Sequence, residues 1–208
     1  MSASTPLAEP AAARGRGRPR SVAADEAILE ATRAVLAEDG WAALTVEGVA
    51  ARAGVAKTTV YRRFSSRADL AVAAVAQLVA AARTAAGESA AEDVRNAIAA
   101  CADVYGRPAA RAAYLAVVAE AGRDPALRAA VEGRVIAPAR QMVSEGLDRA
   151  VARGEISRQL ADGRLDLLYD VLAGALLHRL LVREAEIDDT FIDSLTGAVL
   201  VALRAPDC

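Results

Sequence analysis

The sequence predicts an all-α protein, on three observations. Alanine supplies 54 of the 208 residues, about half of an apolar set that makes up 54% of the chain; it is the best helix former and a poor strand residue. From residue 21 onward apolar residues recur at helical spacing, and no segment sustains strand alternation or an internal repeat. Helix punctuation, a cap or first-turn proline ahead of a run and a glycine behind it, then divides the chain into nine or ten helices.

Residues 1–20 are read as a disordered basic arm, because no aliphatic side chain lies between Leu7 and Val22. The first helix carries Val22, Ile28, Leu29, Val35 and Leu36 largely on one face and ends at Asp39-Gly40. Thr45 caps a short helix over Val46–Ala53, Gly54-Val55 breaks it, and a second short helix runs from Lys57 to about Phe64. Ser66 and Asp69 form a capping-box pattern that starts a helix to about Ala86. After the break at Gly87-Glu88-Ser89 come a helix over Ala90–Tyr105, one with Pro108 in its first turn, and one opened by Asp124-Pro125. Pro138 should kink or split that last helix before Gly154 closes it. Helices over about Asp162–Arg183 and Asp188–Leu203 finish the chain.

The net charge of −2 names no partner, but its distribution does. Residues 1–70 carry ten basic and eight acidic side chains, against fifteen and nineteen in residues 71–208. A basic end that meets nucleic acid or membrane and a neutral-to-acidic body fit that asymmetry. The longest apolar stretch, Ala71–Ala82, is too short to span a bilayer, and residues 1–13 show no secretory signal. Cys101 and Cys208 build neither a disulfide framework nor a zinc site, so reduced thiols in a cytoplasmic protein are expected, with no metal and no cofactor. His178 is the only histidine, Gly15-x-Gly17 follows no strand, and the acid pairs sit at helix starts, so no catalytic residue is assigned and an enzyme is not expected.

The informative stretch is residues 44–67, helix, glycine break, helix. Val46, Val49, Ala50, Val55 and Val60 supply small apolar contacts for a steep crossing. From Arg52 to Arg67 there are five positive charges and no acid. The second helix offers Lys57, Thr58, Thr59, Tyr61 and Arg62 to a major groove, where Lys and Arg reach phosphate or guanine and Thr a base edge or thymine methyl. Thr45, Arg52 and Arg67 complete the candidate DNA-binding set. The competing reading is a solvated charged face on an ordinary helical pair.

Residues 21–70 resemble the DNA-binding domain of the tetracycline-repressor (TetR) family of bacterial transcription regulators. The resemblance is carried by Asp39-Gly40-Trp41, Leu44-Thr45-Val46, Val49-Ala50, Ala53-Gly54-Val55, Thr59-Val60-Tyr61-x-x-Phe64 and Ser66-Arg67-x-x-Leu70. It implies a three-helix helix-turn-helix DNA-binding domain at 21–70 and a C-terminal helical effector-binding and dimerisation domain at 71–208. It further implies a homodimer on a palindromic double-stranded operator, released by a small-molecule effector. One position departs from the family's habit: Ala56 stands where a capping serine is common, which costs about 1 kcal/mol of local helix stability unless compensated.

Arg16, Arg18 and Arg20, spaced by Gly and Pro, resemble an AT-hook core lying in an A·T minor groove, the alternative being a solubilising tail. The helix over 162–183 has two apolar stripes and must be covered on both sides. Leu168, Leu172 and Leu176, with Leu195 and Val199 of the last helix, are assigned to a four-helix dimer interface, the alternative being a wholly intramolecular core. Tyr105, Tyr114, Glu120, Met142, Tyr169 and His178 are the candidates to line an effector pocket, and the scarcity of aromatics points to an aliphatic or lipid-like effector. The rival to a ligand-responsive repressor is a helical ligand-binding or scaffold protein with a vestigial DNA-binding unit.

Overall fold

The computed structural model describes residues 18–82 and 86–204. Eleven α-helices and no strand occur among the described residues. They are α1 (Arg18–Glu38), α2 (Gly40–Ala43), α3 (Val46–Arg52), α4 (Lys57–Tyr61), α5 (Arg67–Ala81), α6 (Ala90–Tyr105), α7 (Pro108–Ala121), α8 (Pro125–Val131), α9 (Ala137–Ala152), α10 (Arg158–Leu177) and α11 (Asp189–Arg204).

Most starts obey local capping chemistry. The hydroxyls of Thr45, Ser66 and Ser89 accept from the amides of Gly48, Asp69 and Glu92 at 3.0–3.2 Å. The Asp124 carboxylate accepts from Ala126 and Leu127, ahead of Pro125. The boundaries differ from expectation in several places, α5 among them, which ends at Ala81 rather than about Ala86. α1 opens at Arg18, so the backbone of the last three residues read as an arm is helical, with Pro19 in a first turn where its missing N–H costs nothing. The short helix α2 opens at Gly40, whose φ of +75° is glycine's own region. α4 stops at Tyr61, and Phe64 beyond it is buried. α10 begins at Arg158, capped by Ser157, rather than at Asp162.

Pro138 acts where expected, but through a π-helical turn. Glu132–Ile136 is wound wider than an α-helix, with the Ala137 amide donating to the Glu132 carbonyl five residues back. Proline cannot donate to residue 134 and its ring would clash with that carbonyl, and the wider turn relieves both problems. A second π-turn, His178–Val182, ends α10 with no proline to announce it.

α1 is shared between the two ends of the molecule. Ile28, Ala31, Val35 and Leu36 pack with Leu44, Val49, Val60 and Leu70 of the following helices. The same core continues without a break into Ala113, Val117, Leu127, Val131 and Val135 of the body. Arg33 pins α1 to α5 by donating to the Ala74 carbonyl and, at 2.8 Å, to Gln77 Oε1. Arg134, in the first π-turn, donates to Asp69 Oδ1, while Asp69 Oδ2 accepts from the Ser65 amide at 2.8 Å. A second core joins α6, α9, α10 and α11 around Ile98, Leu147, Leu168, Leu172, Leu176, Ile192, Leu195 and Val199.

These positions correct one expectation. Leu168, Leu172, Leu176, Leu195 and Val199 are all at most 9% exposed within one chain, so the stripe assigned to a second subunit faces inward. The outward stripe of α10 is the other one, with Leu167 at 53% and Val171 at 36% exposure, followed by exposed Gly174. On α11 the exposed apolar and small positions are Gly197, Ala198 and Val201.

A buried carboxylate locks α6 to α9. Asp93 accepts from Arg149 at 2.7 and 3.0 Å, from Arg153 at 2.9 Å and from the Gly87 amide at 2.9 Å. Burial pushes its pKa up, but the Arg149 guanidinium, the Gly87 amide and Arg153 together outweigh burial and hold it below the ordinary value. A carboxylate depressed in the folded state stabilises above its unfolded pKa of about 3.9 and loses that contribution as pH falls through the folded value. Asp93→Ala should therefore cost about 1.5–3 kcal/mol at pH 7, and the difference from wild type should shrink below about pH 4. Urea denaturation at pH 7 and pH 3 reads both; an unchanged gap at pH 3 would contradict the assignment.

Candidate functional site

The N-terminal surface is built from α3 and α4. Val46, Val49, Ala50 and Val60 are buried between them. At the turn Gly54 adopts a φ of +66°, which lets the Val55 amide reach back to the Ala50 carbonyl at 3.0 Å. That closure reverses the chain and leaves one side of α4 outward. Lys57, Thr58, Tyr61 and Arg62 are exposed there and Thr59 is half-buried. Ala56 makes no side-chain cap to α4, as its methyl dictates.

Glu47, exposed in the first turn of α3, joins the two helices. Its carboxylate lies 3.6 Å from Lys57 Nζ and accepts from the Tyr61 hydroxyl at 3.3 Å. A hydrogen bond from its own amide lowers its pKa most, with Lys57 and Tyr61 adding against partial desolvation. The Glu47 charge in turn raises the Tyr61 pKa. Glu47 is not among the residues the sequence analysis singled out; only the crossing of α3 on α4 reveals that it touches two candidate DNA contacts.

The other candidates are held differently. Thr45 is exposed, but its hydroxyl is the α3 cap. The Arg52 fork is engaged by both oxygens of Glu38, at 2.5 and 2.7 Å, which draws it back towards the end of α1. Arg67 is exposed and lies over the Trp41 ring, 5.3 Å from its centroid. Arg63, part of the positive run, pairs with Asp25. Arg16 lies outside the described residues, and Arg18 and Arg20 are placed by backbone only, in the first turn of α1.

The body holds a cavity of about 170 Å³ between α5, α6, α7, α9, α10 and α11. Four of the six effector candidates line it: Tyr105, Tyr114, Met142 and Tyr169. Two do not. Glu120 lies off the buried Ala113–Val117–Ala121 row of α7, 3.8 Å from Arg123. His178 is exposed, in the π-turn beyond α10. Cys101 is a lining residue that the sequence analysis did not single out, although it sits one helical turn before Tyr105. Tyr105 and Tyr114 meet edge to face with centroids 5.3 Å apart. Burial raises the pKa of Tyr105 and Tyr114, brings Tyr169 to about 12 and brings the Cys101 thiol to about 11, so all four stay protonated at neutral pH. Among the described residues none of the three hydroxyls has a hydrogen-bond partner. Leu168, Leu172, Leu176 and Val199 form the apolar wall, a second reason they face inward.

The uncapped start of α4 has a direct test. Ala56→Ser should stabilise that turn by about 1 kcal/mol and slow amide exchange at Thr58 and Thr59 without changing the fold. Unchanged exchange there would mean that the helix start is already satisfied.

Comparison with known proteins adds an independent line. Residues 28–74 match a family model described as bacterial regulatory proteins, tetR family, and residues 84–199 match one described as the tetracyclin repressor-like C-terminal domain. The chain is 31% identical over 180 residues to an HTH-type transcriptional regulator of Mycobacterium tuberculosis, covering 81% of this chain and 86% of that protein. It is 30% identical over 194 residues to the DNA-binding transcriptional repressor TetR of Mycobacteroides abscessus, covering 92% of this chain and 97% of that one. Among solved structures GusR of Salmonella enterica matches with a TM-score of 0.70 at 19% identity, over 91% of this chain and 99% of that one, a likeness of fold.

Proposed function

This chain belongs to the tetR family of bacterial regulatory proteins, and from that premise we propose that it is a homodimeric repressor whose α4 reads a palindromic operator and whose body cavity takes the effector that releases it. The family places it among non-enzymatic DNA-binding regulators. The observation that carries the finer reading is the outward side of α4, where Lys57, Thr58, Tyr61 and Arg62 stand exposed beyond a glycine turn. Repression is supported by the name of the Mycobacteroides abscessus relative. Work on chromosomal DNA puts the protein in the cytoplasm, and no described helix is long and apolar enough to cross a membrane.

In this mechanism Lys57 and Thr59 enter the major groove, while Thr45, Thr58, Tyr61, Arg62 and Arg67 position the helix against phosphates. Tyr61 and Lys57 release Glu47 as they engage DNA, since a carboxylate facing phosphates is repelled. Arg16, Arg18 and Arg20 add positive charge and a mild A·T preference from the adjoining minor groove. The two protomers meet through the outward stripes of α10 and α11, where Gly174, Gly197 and Ala198 permit close approach between Leu167, Val171 and Val201. An effector releases DNA only if it binds the released state more tightly than the DNA-competent one; a coupling of about 1–3 kcal/mol weakens operator binding some 5–150-fold.

Base reading and phosphate anchoring separate by mutation. Arg67→Ala should weaken operator and random DNA together and reduce the salt slope by about 1. Lys57→Ala should cost about 1–3 kcal/mol on the operator and much less on random DNA. Binding titrations at several salt concentrations check both; an untouched specific-to-random ratio in Lys57→Ala removes α4 as the reader. For the dimer, Leu167→Arg with Val171→Arg should give a folded monomer by sedimentation with no palindrome binding. A doubly substituted protein that stays dimeric would place the interface elsewhere.

A further inference from the structure

The geometry points to a neutral, single-ring molecule bearing a hydrogen-bond-accepting oxygen as the ligand of the body cavity, held by the hydroxyls of Tyr105, Tyr114 and Tyr169. The inference rests on the reading of this cavity as the effector site, and deepens it by naming the chemical class.

Size comes first. The cavity measures about 170 Å³, close to the engineered apolar cavity of roughly 150 Å³ that takes up benzene. One ring with a small substituent fits a space of that size, and we propose it over the aliphatic or lipid-like effector expected from overall composition. Composition misled because the few aromatics are concentrated. The chain has four tyrosines, and three of them, from α6, α7 and α10, converge on this one cavity.

Shape comes next. Tyr105 and Tyr114 already stand edge to face at 5.3 Å, an arrangement that a third ring extends without changing its geometry. Met142 supplies a polarisable thioether on the same wall, which suits a ring face or edge.

Polarity then fixes the class. The three tyrosines hold their protons at neutral pH, so each hydroxyl is available as a donor, and none is used by another described residue. A hydroxyl at the wall of a largely apolar cavity, unpaired within the protein, is satisfied by a ligand oxygen that accepts from it. Leu, Val, Ile and Ala side chains make up most of the lining, and such surroundings oppose a charged ligand. Asp93 and Arg149 also line the cavity, but Asp93 is held by Arg149 and Arg153 and its charge is compensated within the protein. Charged side chains do line the cavity, so a charged ring is the rival to be tested.

The test is calorimetric titration of the full chain with four rings of one size: acetophenone, toluene, benzoate and benzylamine. Acetophenone should bind, about five- to tenfold more tightly than toluene, and on the order of a hundredfold more tightly than benzoate or benzylamine. Tyr105→Phe, Tyr114→Phe and Tyr169→Phe, each conservative in shape, should between them erase the preference over toluene while leaving toluene affinity in place. Benzoate or benzylamine binding as tightly as acetophenone overturns the neutral class. Equal binding of toluene and acetophenone to wild type overturns the role of the hydroxyls, and no binding by any probe overturns the inference as a whole. Adding acetophenone to the operator complex is the separate arm. If the probe binds with the expected ranking and operator affinity does not change, the ligand class stands and the effector reading of the cavity falls.

Discussion

The apolar seam along α1 is the constraint on which the rest of the molecule depends. Ile28, Ala31, Val35 and Leu36 are packed on one side by the residues that set α3 and α4, and on the other by α7. Splitting the chain into a small DNA-facing unit and a separate body would expose Val117 and Leu127 from one and Ile28 from the other, all at most 1% exposed now. Burying such side chains contributes about 1.5–3 kcal/mol each. The N-terminal unit therefore does not hang from a linker. Its orientation is dictated by the body, which a regulator of DNA binding requires.

Two polar fastenings reinforce that seam at the points where motion would matter. Arg33 fixes α1 to α5. Arg134 reaches from the π-turn to Asp69, whose other oxygen holds Ser65, only a few residues beyond the end of α4. A strain in the π-turn thus has a short covalent and hydrogen-bonded route to α4. The cavity lies between the two cores, with Val79 on its α5 side and Ile98, Leu168 and Leu172 on the other. A ligand that spreads the second core away from α5 acts on the helix that carries Asp69.

Local chemistry was legible at most positions where a single residue decides a backbone outcome, the Ser157 cap of α10 being a miss. Thr45, Gly54, Ser66, Asp124 and Pro138 were each read correctly, because caps, left-handed turns and proline act within a turn of themselves. What failed needed a partner at long range. Both stripes of α10 are apolar, so periodicity establishes two covered faces but not which of them α11 and α6 cover from within the chain. Arg52, a candidate DNA contact by charge, is paired with Glu38 in the folded chain, which only the fold reveals. Glu47 stands out only once α4 crosses α3 and brings Lys57 and Tyr61 to it. In the cavity, Tyr105, Tyr114, Met142 and Tyr169 were found by type alone, whereas Glu120 and His178 show that type does not decide which side of a helix faces in. The second π-turn carries no sequence mark that we can identify.

The central claim is that two copies of α4 enter successive major grooves on one face of a duplex. Hydroxyl-radical footprinting of the full chain on the DNA flanking its own gene measures this directly. The account predicts two protected, symmetry-related half-sites whose centres lie about 10 base pairs, or a multiple of it, apart. A single protected half-site, or uniform protection that shifts with protein concentration and vanishes with modest salt, would contradict it.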